Sequence, residues 1–321
     1  MENVLVTAIG SFSAHVVIDN LKKSGYRVYG CDIYPKEWVV NSADVDEFFQ
    51  APLATSADDY IRFIMEICAK NTIKWILPLT DLEVDVLNQC RKFFVEMGIT
   101  VCISNESTIS ICRDKYKIVE FINNHGNIVK TIPTWRYKDI KKQNINLPVI
   151  CKLYNGRSSQ GLKKIRNIFE WEEFTASENV EDYIIQPYIE GSVVTVDVVQ
   201  DVFGQCIAVP RKELLRTLNG AGTSVYVFHD EKLEQDSITL ASLLGVLGCV
   251  NFEFILDGNG DYHFLECNPR FSGGVVFSCM AGYDCVKNHM RAFRKEAIDS
   301  QWKLVHNLYI ARRYESHIMA E

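Results

Sequence analysis

Two acids and an amide in the segment CVNFEFILDGNGDYHFLECNPRFSGG, Cys249 to Gly274, carry the clearest chemistry in the chain. At its centre, Asp257-Gly258-Asn259-Gly260 has the composition of a tight turn, so the flanking runs read as the two strands of a hairpin. Side chains alternate along a strand, which puts Glu266 and Asn268 on one face and Glu253 on the strand opposite. Two carboxylates and an amide oxygen then converge. Mg²⁺ is commonly held in this way, by one or two carboxylates plus substrate phosphates rather than by a full protein cage. A solvated hairpin with scattered acids fits poorly, because the acids are interleaved with Phe252, Phe254, Ile255, Phe264 and Leu265. Arg270 follows directly, and Ser272-Gly273-Gly274 offers accessible backbone N–H groups, both suited to anionic oxygens.

A second constellation begins at Lys152, at the end of a strand. The loop LYNGRSSQGL follows it, with Gly156 and Gly161 bracketing small polar residues that include Ser158 and Ser159. Backbone donors and hydroxyls on such a loop can reach phosphate oxygens while the lysine supplies charge. Taken alone, a Gly/Ser loop between strands is more often a plain hairpin turn. There is no G-x-x-x-x-G-K-[ST], so the loop is not a P-loop.

These residues need elements to hold them. The first hundred residues alternate strand and helix patterns: Val4 to Ile9, a helix near Ser13 to Ser24, a strand at Arg27 to Asp32, a helix near Asp58 to Asn71, a strand at Lys74 to Leu79, a helix from Leu82 to Met97 and a strand at Ile99 to Ile103. That rhythm predicts a small parallel sheet with covering helices. Asp114 reads as an N-cap for a helix to about Asn124, and the domain boundary is placed near 105 to 115. From Val149 onward strands dominate: Val149 to Leu153, Leu162 to Ile165, Tyr183 to Gln186, Val193 to Val202, Gln205 to Val209, Cys249 to Leu256 and Tyr262 to Cys267. Helices are expected at Phe169 to Ala176, Glu231 to Leu247 and Cys285 to Ala297, giving an α+β body on antiparallel sheet.

Composition narrows the function classes. The chain has 321 residues, 47% hydrophobic and 23% charged, with a formal charge of -7. That balance fits an ordinary globular protein of two or three domains and gives no general attraction to nucleic acid or anionic lipid. Eleven cysteines, with no C-x-x-C pair and no zinc spacing, suit free thiols in a reducing cytoplasm. No stretch is clean enough to span a bilayer, and the N-terminus lacks a secretory pattern. The first turn, Gly10-Ser11 with Asp32 downstream, has one glycine where a dinucleotide fold needs G-x-G-x-x-G, so NAD is disfavoured. Gly10, Ser11, Asp32 and the Pro78-Leu79-Thr80-Asp81 turn either face a substrate or only shape strand ends.

Taken in order, Asp114-Lys115, Lys152 with its glycine loop, Gln186-Pro187-Tyr188-Ile189-Glu190-Gly191, and the E-x-N-P-R-x-x-G-G string from Glu266 to Gly274 resemble the ATP-grasp superfamily. The likeness is to single-unit relatives of the carbamoyl-phosphate synthetase large subunit. It implies an α/β Rossmann-like pre-ATP-grasp domain at 1–110, followed by an α+β ATP-grasp fold of two subdomains, a small one with the lid at 111–190 and a C-terminal one with the metal site at 191–321. The resemblance further implies that Lys115 and Lys152 hold ATP phosphates, that Gly156 to Gly161 with Ser158 and Ser159 form the lid, and that Gln186, Pro187, Tyr188 and Ile189 meet the adenine. Glu253, Glu266 and Asn268 match the Mg²⁺ ligands, with Mn²⁺ as an alternative ion, and Arg270 matches the arginine beside the transferred phosphate. Gly10, Ser11, Asp81, Arg211, Arg216, Ser272, Gly273 and Gly274 fall where relatives contact substrate. The glutamate that usually binds ribose after the hinge glycine is replaced by Val193 and Val194.

The implied activity is ATP-dependent ligation of a small-molecule carboxylate to an amine, or to a thiol, through an acyl phosphate, with no nucleic-acid or membrane partner and a homodimer left open. Three alternatives stand beside it: a non-catalytic nucleotide-binding module, a small-molecule kinase, and a carbamoyl-phosphate-synthetase-like enzyme.

Overall fold

The computed structural model describes all residues except 141–144, 158–159, 178–179, 219 and 320–321. Its first part runs β1 (Asn3–Val6), α1 (Ala14–Lys23), β2 (Arg27–Asp32), β3 (Glu47–Gln50), α2 (Ala57–Lys70), β4 (Ile73–Leu77), α3 (Asp81–Gln89), α4 (Arg91–Glu96) and β5 (Thr100–Val101). The five strands are parallel in the order β3-β2-β1-β4-β5. Chain direction across the sheet therefore reverses between β1 and β4, the switch point where open α/β sheets place ligands.

One helix expected over Leu82 to Met97 is two. The chain turns at Cys90, and beyond it Phe94 alone is buried while Phe93 and Met97 are exposed, so the apolar stripe does not continue in register past the break. Strand β3 has no alternating apolar pattern and was missed; pairing with β2 makes it a strand.

The middle of the chain contributes α5 (Glu106–Cys112), α6 (Lys115–Asn124), β6 (Lys130–Thr131), β7 (Trp135–Arg136), β8 (Val149–Leu153), β9 (Lys163–Ile165), α7 (Ile168–Thr175) and β10 (Tyr183–Pro187). A four-stranded sheet, β7-β10-β8-β9, spans 135–187 and packs Val149, Cys151, Ile165 and Ile185 against Phe174 of α7. Asp114 caps α6 as expected, accepting from the backbone N–H of Tyr116 and Lys117. Residues 111–132, placed by sequence in the small unit, bury Cys112, Ile118, Ile122 and Val129 in the core of the next sheet.

The remainder is β11 (Gly191–Gln200), β12 (Cys206–Arg216), β13 (Gly222–Val227), α8 (Glu231–Leu244), β14 (Gly248–Asp257), β15 (Tyr262–Asn268), α9 (Val275–Met280), α10 (Cys285–Phe293) and β16 (Leu308–Ala311). They form a seven-stranded sheet, β16-β13-β12-β11-β14-β15-β6, antiparallel apart from β6. Strand β12 runs on to Arg216, past the Val209 expected, and turns straight back into the unexpected β13; β16, also unexpected, pairs with β13 from far along the chain. The sequence reading carried α8 to Leu247, whereas Gly245, in the left-handed region at φ 67°, ends the helix at Leu244. One hydrophobic cluster joins β1 and α1 to Val199, Val209, Val225, Phe271 and α10, so the parallel sheet is docked on the large one.

Candidate active site

A cavity of about 890 Å³ opens where the three sheets meet, large enough for a nucleotide-sized ligand with room beside it. One wall is the β14–β15 pair. Glu253 lies directly opposite Glu266, and Asn251 opposite Asn268. A β-bulge makes this register: Phe254 pairs with Phe264, and continuing one step would oppose Glu253 to Leu265, but Leu265 is the extra residue. With Leu265 paired in regular register, Glu266 would oppose Phe252 and be turned to the other face.

Each acid already faces a cation. Arg216 Nη2 is 3.1 Å from Glu253 Oε2, and Lys115 Nζ is 3.4 Å from Glu266 Oε2. Asn268 Nδ2 lies 3.4 Å from Glu266 Oε1 and 3.3 Å from Asn251 Oδ1, which leaves its own oxygen near Arg270 Nη2 at 3.4 Å. Burial drives the Glu253 carboxyl above its ordinary value, with Arg216 offsetting part of this and Glu266 adding to it. Burial acts on Glu266 in the same direction, but Lys115 and Lys152 outweigh it and hold that carboxyl down. Of the two, Glu266 is the settled anion. Two carboxylates and an amide oxygen on one face are a donor set that fits Mg²⁺ together with phosphate oxygens.

Lys152 comes from the middle sheet and is buried. Burial pushes its ammonium down to about 8, a repulsion from Lys115 adds to this, and Glu266 and Glu253 resist it. Lys115 sits at the start of α6; its backbone N–H donates to Tyr154 O at 2.8 Å and its Nζ to Gly156 O at 2.5 Å. The first turn of α6 is thereby tied to the glycine loop. Gly156 lines the cavity. Gly161 does not; it adopts φ 69°, and a Cβ there would approach the Tyr183 hydroxyl to 2.8 Å, so it serves the loop's turn into β9. Ser158 and Ser159 lie outside the described residues.

At the far end, Gln186, Pro187, Tyr188 and Ile189 line the cavity. Gln186 Nε2 donates to Thr134 Oγ1 at 2.8 Å, Tyr188 N donates to Pro148 O at 3.0 Å, and Lys164 Nζ stands 3.2 Å over the Tyr188 ring. Val193 lines the cavity, whereas Val194 is buried in the core beneath the sheet.

Toward the parallel sheet, Arg270 forms a two-pronged ion pair with Asp81, and Arg113 stands 3.6 Å from the same carboxylate. Burial would raise the Asp81 carboxyl, but Arg270 and Arg113 hold it below its usual value. Arg211, 1% exposed, is enclosed by Asp197 at 2.6 Å, Glu213 at 3.2 Å and Ser272 Oγ at 2.9 Å. Gly274 lies so close beneath it that a Cβ would meet Nη2 at 2.8 Å. Gly10 and Ser11 line the cavity, but Asp32 is occupied: its oxygens accept from Gly10 N at 2.7 Å and Tyr34 N at 3.2 Å. Asp32 therefore holds the first turn in shape.

Sequence reading missed Thr195, Glu213, Arg113 and Arg312. Glu213 joins Arg211 to Thr195 through Oε1, and its signal was an acid two positions from a basic residue on one strand face. Arg312, just after β16, donates to the carbonyls of Phe12, Gly222 and Gly273; nothing local in the sequence marks it.

Residues 179–313 match a family model described as ATP-grasp in the biosynthetic pathway with Ter operon, and residues 4–102 match one described as the PylC-like N-terminal domain. The chain is 24% identical over 296 residues to the carbamoyl phosphate synthase large chain of Thermoplasma volcanium, covering 85% of this chain and 28% of that one. The Clostridium acetobutylicum large chain gives 24% over 288 residues, 83% and 26%. The chain thus spans about a quarter of these relatives' length. Among solved structures, the biotin carboxylase domain of Hydrogenobacter thermophilus 2-oxoglutarate carboxylase, in complex with MgADP, ADP and bicarbonate, superposes with TM-score 0.78 at 21% identity, covering 92% of this chain and 70% of that one. N5-carboxyaminoimidazole synthetase from Staphylococcus aureus, complexed with ADP, gives 0.77 at 17%, covering 95% and 80%. These two carry the likeness of fold.

Proposed function

Since the chain is an ATP-grasp relative of the carbamoyl phosphate synthase large chain, we propose that it is an ATP-dependent ligase. It phosphorylates a small-molecule carboxylate with the γ-phosphoryl group of ATP and passes the acyl group to an amine, or in a variant of the same chemistry to a thiol, releasing ADP and phosphate. The observation that supports this best is the pairing of Glu253 with Glu266, with Asn268 on the same face, in the cavity that Lys115 and Lys152 also line.

In this reading Gln186 to Ile189 hold the adenine, and Gly156 with the neighbouring main chain covers the phosphates. Lys115 and Lys152 neutralise phosphate charge, while Arg270 and the backbone of Ser272 to Gly274 meet the transferred group. Glu253, Glu266 and Asn268 would hold Mg²⁺, or Mn²⁺ in its place, which would supply charge neutralisation for the phosphates. Lys115 and Arg216, which face Glu266 and Glu253, would add positive charge beside them. No side-chain nucleophile is needed, since the work is positioning and exclusion of water. Val193 and Val194 leave the ribose without the usual acid, which favours a second reading, a nucleotide-binding module that does not turn over.

Purified protein with ATP, Mg²⁺ and pooled carboxylates, with hydroxylamine as trap, tests the proposal. A hydroxamate and stoichiometric ADP are expected. AMP as the main product would overturn the mechanism, phosphate left on the acceptor would make a kinase, and nucleotide binding without turnover would favour the second reading.

A further inference from the structure

We propose that the small-molecule substrate of this cavity carries an aromatic or bulky aliphatic group, seated on an apolar wall made by Phe12, Ile33, Tyr34, Trp38 and Leu53. The inference rests on the ligase reading only for what happens to that substrate afterwards.

All five residues lie just beyond the carboxyl ends of β1, β2 and β3, on the side of the parallel sheet where open α/β folds bind ligands. Each lines the cavity, yet each remains open to solvent: 41% for Phe12, 40% for Ile33, 52% for Tyr34, 74% for Trp38 and 55% for Leu53. Scattered exposed apolar side chains need no explanation, but several gathered on one concave wall mark a place where apolar surface is to be covered. The Tyr34 and Trp38 ring centroids are 6.1 Å apart.

The wall is built to stay as it is. Beneath it Val39, Ala51 and Ala54 are buried, Asn41 Nδ2 donates to Ile9 O at 2.6 Å, and Ser42 Oγ donates to Lys36 O at 2.8 Å. Arg312 stands 5.2 Å from the Phe12 ring centroid while donating to the carbonyls of Phe12 and Gly273. The apolar wall is thereby fastened to the glycine pair that follows Arg270.

Asp32 also lines the cavity, and its oxygens accept from Gly10 N and Tyr34 N, which holds the turn beside the wall in shape. What the wall offers is flat apolar surface, and the reacting carboxylate or amine of the substrate reaches from it toward Arg270.

Calorimetric titration with two matched pairs tests this: 3-phenylpropionate against propionate, and phenethylamine against ethylamine. In at least one pair the phenyl compound is expected to bind about tenfold or more tightly than its truncated counterpart. Which pair does so tells whether the carboxylate or the amine substrate carries the group. The Tyr34→Ser/Trp38→Ser variant should lose that advantage and keep wild-type affinity for MgADP. Equal binding within both pairs, or an undiminished advantage in the variant, would overturn the proposal. Failure of the ligase reading shows separately, as absent ADP production, whatever the phenyl probes do.

Discussion

Arg270 and Asp81 hold each other across the boundary between the parallel sheet and the end of β15, with Nε 3.0 Å from Oδ1 and Nη2 2.7 Å from Oδ2. The arginine proposed to meet the transferred phosphate is thus aimed by an acid 189 positions away. Removing one partner leaves a largely buried charge unpaired, so Asp81→Asn should lower stability by about 3 kcal/mol in urea unfolding at pH 7. The Asp81 carboxyl is held below its usual value of 3.8, so its stabilisation is present above that pH. It is lost as pH falls through the lower folded value, and the gap between wild type and variant should close there.

Lys152 offers a pH signature. Its pKa of about 8 without nucleotide means that near pH 8 about half the molecules lack this proton. Phosphate beside it favours the charged form, so ATP binding should take up about half a proton at pH 8 and weaken as pH rises. Calorimetry in buffers of different ionisation enthalpy measures the uptake. Lys152→Met should abolish it and weaken binding by about ten- to a hundredfold.

The paired acids separate binding from turnover. Glu266→Gln and Asn268→Ala should lower Mg²⁺-dependent ADP formation by about a hundredfold or more, because loss of metal charge acts mainly on the reacting phosphates. Mg²⁺-free nucleotide binding should change little, with native circular dichroism. Wild-type ADP production by either variant across a Mg²⁺ titration would exclude the metal role.

Gly161 is a test of the loop's geometry. At φ 69°, with the Tyr183 hydroxyl facing any added Cβ, Gly161→Ala should cost about 1–2 kcal/mol. Because the residue is outside the cavity lining, kcat should fall less than nucleotide affinity if the loop covers phosphate.

Labelled oxygen follows the bond made. With an ¹⁸O-carboxylate substrate, attack on the γ-phosphorus and later loss of phosphate should place one label in released phosphate, read by mass spectrometry. Label in AMP would mean adenylation.

Local chemistry was legible where local rules decide the outcome. Asp114 is an N-cap because its side chain reaches the next N–H groups, and the Asp257 to Gly260 turn made the hairpin readable. The convergence of Glu253 and Glu266 was foreseen, but the Leu265 bulge that produces it was not, because a one-residue insertion leaves no trace in composition. Strand β16 and the contacts of Arg312 depend on partners far along the chain, whereas β13 folds straight back on β12 and was hidden because β12 was expected to end at Val209. The break at Cys90 was hidden for the opposite reason: the apolar spacing continues through it while the backbone does not.

The reach of Arg312 bears on how the protein is made. Its guanidinium touches Phe12, Gly222 and Gly273, so these hydrogen bonds between the apolar wall and the glycine pair form only after the ribosome has released residue 312. The parallel sheet, whose contacts close within the first hundred residues, can fold well before that. A nascent or prematurely terminated chain therefore lacks this fastening of the wall.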